Sequence, residues 1–305
     1  MRPPLLCAMV LALASCGAAC AAGDFAVDGA RALRRVTFQV DAGPRIPGTP
    51  GHARVRDWIA SEVRRLHGAV ELQGFVDSTL GTPETLVNVI GRWNPARAAV
   101  AGPLVLCAHY DTRPWADEDP DTARRREPVL GANDAGSGVA VLLEVAELLA
   151  RRSPPQSTEL VFFDGEDQGR PHEPDTYSRG ARGFAARIRP RPRAAFLFDM
   201  VGDRDLGIYP EMNSVERASS VAAIVVAAAE AEKAVHFHHE PRYHLVDDHV
   251  PLLDAGIPAA DIIDFDYPAW HTVHDLPDQI SAESLAEVAR VAAWIVYRSP
   301  LARAR

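Results

Sequence analysis

Apolar runs punctuate this chain, and three of them end directly on acids or an imidazole. Leu104-Val105-Leu106-Cys107-Ala108 leads into His109-Tyr110-Asp111, and Glu159-Leu160-Val161-Phe162-Phe163 into Asp164-Gly165-Glu166-Asp167. Ala194-Ala195-Phe196-Leu197-Phe198 leads into Asp199-Met200-Val201-Gly202. Runs of this length, apolar at every position, predict strands buried on both faces of a parallel sheet. Two further clusters, Gly131-Ala132-Asn133-Asp134 and Trp270-His271-Thr272, have the same polar character.

Between the runs the period changes from continuous to helical. Val55, Trp58, Ile59, Val63 and Leu66 mark one face of an amphipathic helix over residues 51–68. Residues 138–149 predict a helix apolar nearly all round, hence buried against the sheet. Shorter helices are predicted over 181–188 and 247–255, a long one over 214–233, and strands over 86–90 and 259–263. The last helix, 281–297, opens with Ser281 as its N-cap. His236, His238 and His239 alternate as in a strand and read as surface or packing residues. Trp58, Trp294, Phe162 and Phe163 are assigned to the core. Alternating strands and helices predict an α/β fold, a three-layer α/β/α sandwich with a largely parallel central sheet. With no repeat or long linker, residues 25–305 form one catalytic domain.

Composition alters this picture little. Of 305 residues, 47% are hydrophobic and 24% charged, enough for a core without staples. The net charge of −9, with no basic block beyond Arg124-Arg125-Arg126, argues against a nucleic-acid partner. That triplet follows Asp117-Glu118-Asp119-Pro120-Asp121, and the two read as a solvated loop of offsetting charge. Residues 1–22 read as a signal peptide: Arg2, then an apolar stretch from Leu5 to Ala14, then small residues. Leu13-Ala14-Ser15-Cys16 resembles a bacterial lipobox, so export is expected, as a periplasmic protein or a lipid-anchored lipoprotein without a membrane span. Three of the four cysteines fall in this segment, and Cys107 reads as a small buried hydrophobe. A monomer is expected.

Carboxylates and imidazoles gathered at strand ends have the makeup of a zinc site. Asp134, Asp167 and His271 are the candidates for one metal; His109 and Asp199, with Asp134 as a bridge, could hold a second. Glu166 adjoins Asp167, so one acid can bind metal while the other stays free for proton transfer. Asp111, two residues after His109, could orient that imidazole. Each element alone has an ordinary packing or capping explanation; the five clusters together favour a metal site.

The motifs also resemble a known family. Their order is similar to that of the co-catalytic zinc aminopeptidases, and more closely to that of their single-zinc relatives, the glutaminyl-peptide cyclotransferases (glutaminyl cyclases). The resemblance rests on Arg45-Ile46-Pro47-Gly48-Thr49-Pro50-Gly51, Phe162-Phe163-Asp164-Gly165-Glu166-Asp167, Asp247-Asp248-His249-Val250-Pro251 and Trp270-His271-Thr272. It implies one catalytic zinc on Asp134, Asp167 and His271, with Glu166 as proton shuttle. It also implies Asp199 and Asp248 as acids beside Glu166, and Trp270 as a wall for the substrate's glutamine side chain. The implied reaction converts the N-terminal glutamine of a peptide or protein to pyroglutamate with release of ammonia. Two features depart from the family: Asp167 stands where glutamate is usual, and residues 169–177 lack the tryptophan of the animal enzymes. The rival reading is a two-zinc aminopeptidase, for which every ligand type is present. Trp270 and the Arg45 and Asp247 blocks favour the cyclase. A surface module that had lost its chemistry is disfavoured because none of the five positions is inert.

Overall fold

The computed structural model describes residues 25–98 and 102–303; the signal peptide and lipobox expectations lie outside these residues. The chain first forms α1 (Gly29–Asp41), α2 (Pro50–Arg65), β1 (Ala69–Asp77), β2 (Glu84–Trp93) and β3 (Leu104–His109). It continues through α3 (Gly136–Arg151), β4 (Thr158–Phe163), α4 (Arg179–Arg187), β5 (Ala194–Asp199), α5 (Met212–Arg217) and α6 (Ser219–Glu232). The last elements are α7 (His249–Asp254), β6 (Ala259–Ile263) and α8 (Ala282–Arg298).

The strands form a six-stranded sheet in the order β1-β2-β4-β3-β5-β6. β4, β3, β5 and β6 run parallel, whereas β2 is antiparallel to β4 and β1 antiparallel to β2. The predicted largely parallel sheet is therefore present, with an antiparallel pair at one edge. Helices α1, α2, α3, α6 and α8 make one layer, and α4 with α7 the other. Every residue of β3, β4, β5 and β6 is buried, as the apolar runs of β3, β4 and β5 predict; β6 also buries Asp261. Cys107 lies in β3 as a buried free thiol. Phe162 and Phe163 are fully buried; Trp58 and Trp294 are half-buried against the same core.

Three expectations shift. The predicted helix over 214–233 is two helices, broken at Ala218 (φ −143°, ψ 46°) and bent so that Ser214 of α5 accepts the backbone N–H of Asp261 in β6. The histidines at 236, 238 and 239 lie in a loop whose strand character is a single bridge, Phe237 to Ile208; His236 pairs with Glu287 and His238 stacks on Tyr209. The acidic loop predicted to be solvated is partly buried: Asp119 is fully covered, and Asp117 faces the interior cavity described below.

Close approach of α3 to the sheet requires glycine at one point. A Cβ on Gly138 would lie 2.1 Å from the carbonyl oxygen of Phe198, at the end of β5. The glycines after Asp134 thus let a helix start directly beside two strand ends. Phe196, fully buried between β3 and β6, anchors this region. Replacing it with alanine should cost about 3–5 kcal/mol of stability, read from the urea midpoint at unchanged m-value.

Candidate metal and acid–base site

Parallel strands place their carboxyl ends on one rim, and the polar clusters lie there. His109 is the last residue of β3, paired across the ladder with Phe163, the last residue of β4. Asp199 ends β5, opposite Ile263 of β6. Asp134 precedes α3, Glu166 and Asp167 follow β4, and His271 lies in the loop after β6. Met200 and His271 both adopt left-handed backbone (φ 47° and 52°), which non-glycine residues occupy at a cost that surrounding structure must meet.

The five candidate ligands meet in two overlapping sets that share Asp134. His271 Nε2 lies 3.2 Å from Asp167 Oδ1 and 3.6 Å from Asp134 Oδ2. His109 Nε2 lies 3.2 Å from Asp134 Oδ1 and 3.1 Å from Asp199 Oδ1. Ligands at about 2.0–2.2 Å around a tetrahedral ion stand roughly 3.4 Å apart, so these spacings fit zinc without rearrangement. Asp167 Oδ2 is buried and has no hydrogen-bond partner, as expected of a carboxylate whose counterpart is a cation.

Backbone amides hold the acid-bearing turns in place. Asp111 accepts the N–H groups of Glu166 (3.0 Å) and Asp167 (3.1 Å), and also the Gln168 amide. Asp275 accepts those of Asn133 (2.8 Å) and Asp134 (3.1 Å) and the Tyr267 hydroxyl. Arg45, fully buried, donates to the carbonyls of Tyr110, Leu130 and Gly131, which explains the polar residue in the Arg45–Gly51 block. Asp111 also stands 3.7 Å from His109 Nδ1, behind the face that meets Asp134 and Asp199.

Glu166 belongs to neither ligand set. Its carboxylate accepts from Ser178 Oγ at 3.3 Å. Burial, and then the nearby Asp247, push its pKa well above the usual glutamate range. Asp167 and Asp199 are also raised by burial, against the pull of His271 and His109 respectively. Burial alone would lower both imidazoles, but the carboxylates outweigh it: His109 moves well up, and His271 to about 10.

A cavity of about 370 Å³ opens onto Asp134, Glu166, Asp167, Asp199 and His271. Trp270 stacks on His271 with ring centroids 4.0 Å apart and leans on Phe265, so the two indole and phenyl rings form one wall. Tyr177 lies on the same cavity, within the segment that lacks the expected tryptophan. Asp247, not Asp248, faces this space. Asp248, expected beside Glu166, is fully buried behind its neighbour, and neither of its oxygens has a hydrogen-bond partner. Sequence reasoning named neither Asp247, Tyr177, Phe265 nor Asp117 as a site residue. For Asp247 the signal was the Asp-Asp pair itself, in which direction of projection decides the role.

A third buried group, Asp247, His249 and Asp261, lies deeper. His249 sits 3.1 Å from Glu211 and 3.4 Å from Asp261. Burial raises three neighbouring aspartates: Asp247 to about 7, and Asp248 and Asp261 well above the usual range. They hold protons at neutral pH more readily than exposed carboxylates do.

Residues 88–296 match the model of peptidase family M28. The chain is 25% identical over 281 residues to the glutaminyl-peptide cyclotransferase-like protein of Bos taurus, covering 82% of this chain and 70% of that protein. To the glutaminyl-peptide cyclotransferase of Drosophila melanogaster it is 28% identical, covering 81% and 76%. It is similar in structure to Tannerella forsythia glutaminyl cyclase (TM-score 0.84, 33% identity, covering 90% of this chain and 99% of the other). It is equally similar to a Zn-dependent exopeptidase from Parabacteroides distasonis (TM-score 0.85, 31% identity, covering 91% and 100%).

The raised acids give a signed pH dependence. Asp247 (about 7) and Asp264 (about 6, raised by burial) keep protons in the folded state that the unfolded chain releases near pH 4. Their contribution to stability is complete below the unfolded value and is lost as pH rises through about 6 to 7. Protein treated with chelator should therefore melt at a lower temperature at pH 8 than at pH 5.5. A flat or rising profile would contradict the assignment.

Proposed function

The chain belongs to peptidase family M28, and from that membership and the cavity's geometry we propose that it is a zinc-dependent glutaminyl-peptide cyclotransferase, an exported bacterial enzyme acting on peptide N-termini. One zinc ion is assigned to Asp134, Asp167 and His271, whose donor atoms have the spacing and chemistry for it. Bound there, the ion supplies Lewis acidity to the γ-carbonyl of the substrate glutamine.

The observation that carries the chemistry is the divided acid pair. Asp167 turns to His271, while Glu166 stays outside both ligand sets yet on the same cavity. In the reaction the α-amine nitrogen bonds to the γ-carbonyl carbon and the bond from that carbon to the amide nitrogen breaks. Glu166 takes the proton released by the amine and returns it to the departing ammonia, an exchange suited to a carboxyl whose pKa burial has raised. The cavity wall of Trp270 and Phe265 keeps the glutamine side chain bent back on its own amine, which provides the proximity that ring closure needs. The curated relatives named for this activity support the reading over hydrolysis.

The test is to incubate the enzyme with Gln-containing dipeptides and with aminoacyl anilides. Free ammonia and a product lighter by one ammonia are expected; release of a free amino acid, with two zinc ions bound per chain, would instead establish the aminopeptidase. Glu166→Gln should lower turnover by about 10²–10⁴-fold while zinc content stays near that of the parent protein. Loss of zinc in that variant would reverse the roles within the acid pair.

A further inference from the structure

The segment between β3 and α3 carries Arg113 and Asp117, which touch both halves of the ligand set. Arg113 is fully buried and forms a two-pronged pair with Asp117, Nε to Oδ1 at 3.0 Å and Nη2 to Oδ2 at 2.6 Å. Its third nitrogen donates to the carbonyls of Asp167 (3.1 Å) and Gly169 (2.7 Å), fixing the turn that carries Asp167. The guanidinium lies over the rings of Trp115 and Tyr177, which restrict its plane. Asp117 in turn places Oδ1 3.4 Å from His271 Nδ1, the nitrogen turned away from Asp134 and Asp167. Backbone contacts join the same two loops. Glu118 N–H donates to the His271 carbonyl at 3.2 Å, and Val273 N–H donates to Asp119 at 3.1 Å.

We propose that Arg113 and Asp117 form a positioning clamp for the metal site, Asp117 fixing the tautomer and ring plane of His271 while Arg113 fixes the turn of Asp167. A metal-binding histidine needs its other ring nitrogen donated to an acceptor, so that the metal-facing nitrogen keeps its lone pair. Asp117 is the acceptor aimed at that second nitrogen. Burial would raise its pKa, but His271 and Arg113 hold the carboxyl well below the usual range, so it remains an anion. The bidentate geometry matters because lysine, a point charge, cannot grip Asp117 and the two carbonyls together. The left-handed backbone of His271 is then explained: the ring is held from both sides while its own residue is strained. The clamp rests on the reading that His271 and Asp167 bind zinc.

The experiment measures zinc affinity by competition with a chromophoric chelator, the absorption spectrum of the cobalt-substituted protein, and melting of the metal-free protein. Asp117→Asn keeps an oxygen acceptor and removes the charge. It should weaken zinc binding about 10–100-fold and shift the cobalt spectrum, with little change in melting of the metal-free protein. Asp117→Glu should recover part of the affinity. Arg113→Lys, which keeps the buried charge, should weaken zinc binding in the same direction, so the clamp stays testable if one variant fails to fold. Parent-like zinc affinity in Asp117→Asn and Arg113→Lys, with only melting reduced, would overturn the clamp and leave a structural role. Failure of the parent protein to bind zinc would overturn the metal assignment itself, a separate outcome.

Discussion

Mutual repulsion among buried carboxylates is the constraint that the rim of this sheet must satisfy. Asp111, Asp134, Asp167, Asp199, Asp247 and Asp275 are each at least nine-tenths covered; four of them line one cavity, and Asp111 and Asp275 hold the turns behind it. Two such charges about 4 Å apart repel by about 4 kcal/mol at an intermediate effective dielectric constant. The structure answers each in a different currency. Asp111 and Asp275 are met by backbone amides and side-chain donors. Asp134, Asp167 and Asp199 are met by imidazoles, and Asp247 by a pKa that burial raises to about 7. What is left over, including the unpartnered oxygen of Asp167, is where a dication fits. Affinity for metal is thus built into the charge balance of the folded chain.

The same constraint explains why the acids and imidazoles arrive on strand ends. Within β3, β4 and β5 the side chains before the last residue are buried and mostly apolar, where an unpaired carboxylate would be prohibitively costly; Glu159 of β4 is paired with Arg92. Beyond the strand ends the chain turns, and the amides of neighbouring turns become available to the acids. The parallel register aligns these strand ends: His109 falls opposite Phe163, so Glu166 and Asp167 leave β4 at the level where the imidazole leaves β3. Sharing of Asp134 between the two ligand sets follows, because its turn before α3 lies between the ends of the strands.

Much of this was legible in sequence where residue type and burial agree. The apolar runs located β3, β4 and β5, residues 259–263 read as a strand despite Asp261, and Ser281 marked the start of α8, accepting the N–H groups of Glu283 and Ser284. The elements that escaped notice bury polar groups and expose apolar ones. In β1, Gln73 and Phe75 face inward while Leu72 and Val76 face solvent, so the alternation does not report the buried side. Gln73 is accommodated by Asn88 on the adjacent strand, a partner that no local pattern reveals. In α1 the inner stripe includes Arg35 and Gln39, and Arg31 and Arg35 grip Glu144 of α3 across more than a hundred residues. Asp117 escaped for the same reason: an acid in a charged loop looks solvated until its arginine and histidine partners are seen in space.

Asp167 shows how such distant partners compensate a local change. A carboxylate shorter by one methylene than the usual glutamate reaches an ion only if its backbone is drawn inward. Here its N–H is held by Asp111, and its carbonyl by Arg113. Both anchors leave from the segment after β3, so the turn after β4 is pulled toward that strand from both of its peptide groups. The outcome is an Oδ1 placed 3.2 Å from His271 Nε2, a separation that two ligands of one zinc ion adopt. Under the proposed zinc assignment the two anchors and the shorter acid would act together, the fixed turn supplying the reach that the missing methylene gives up.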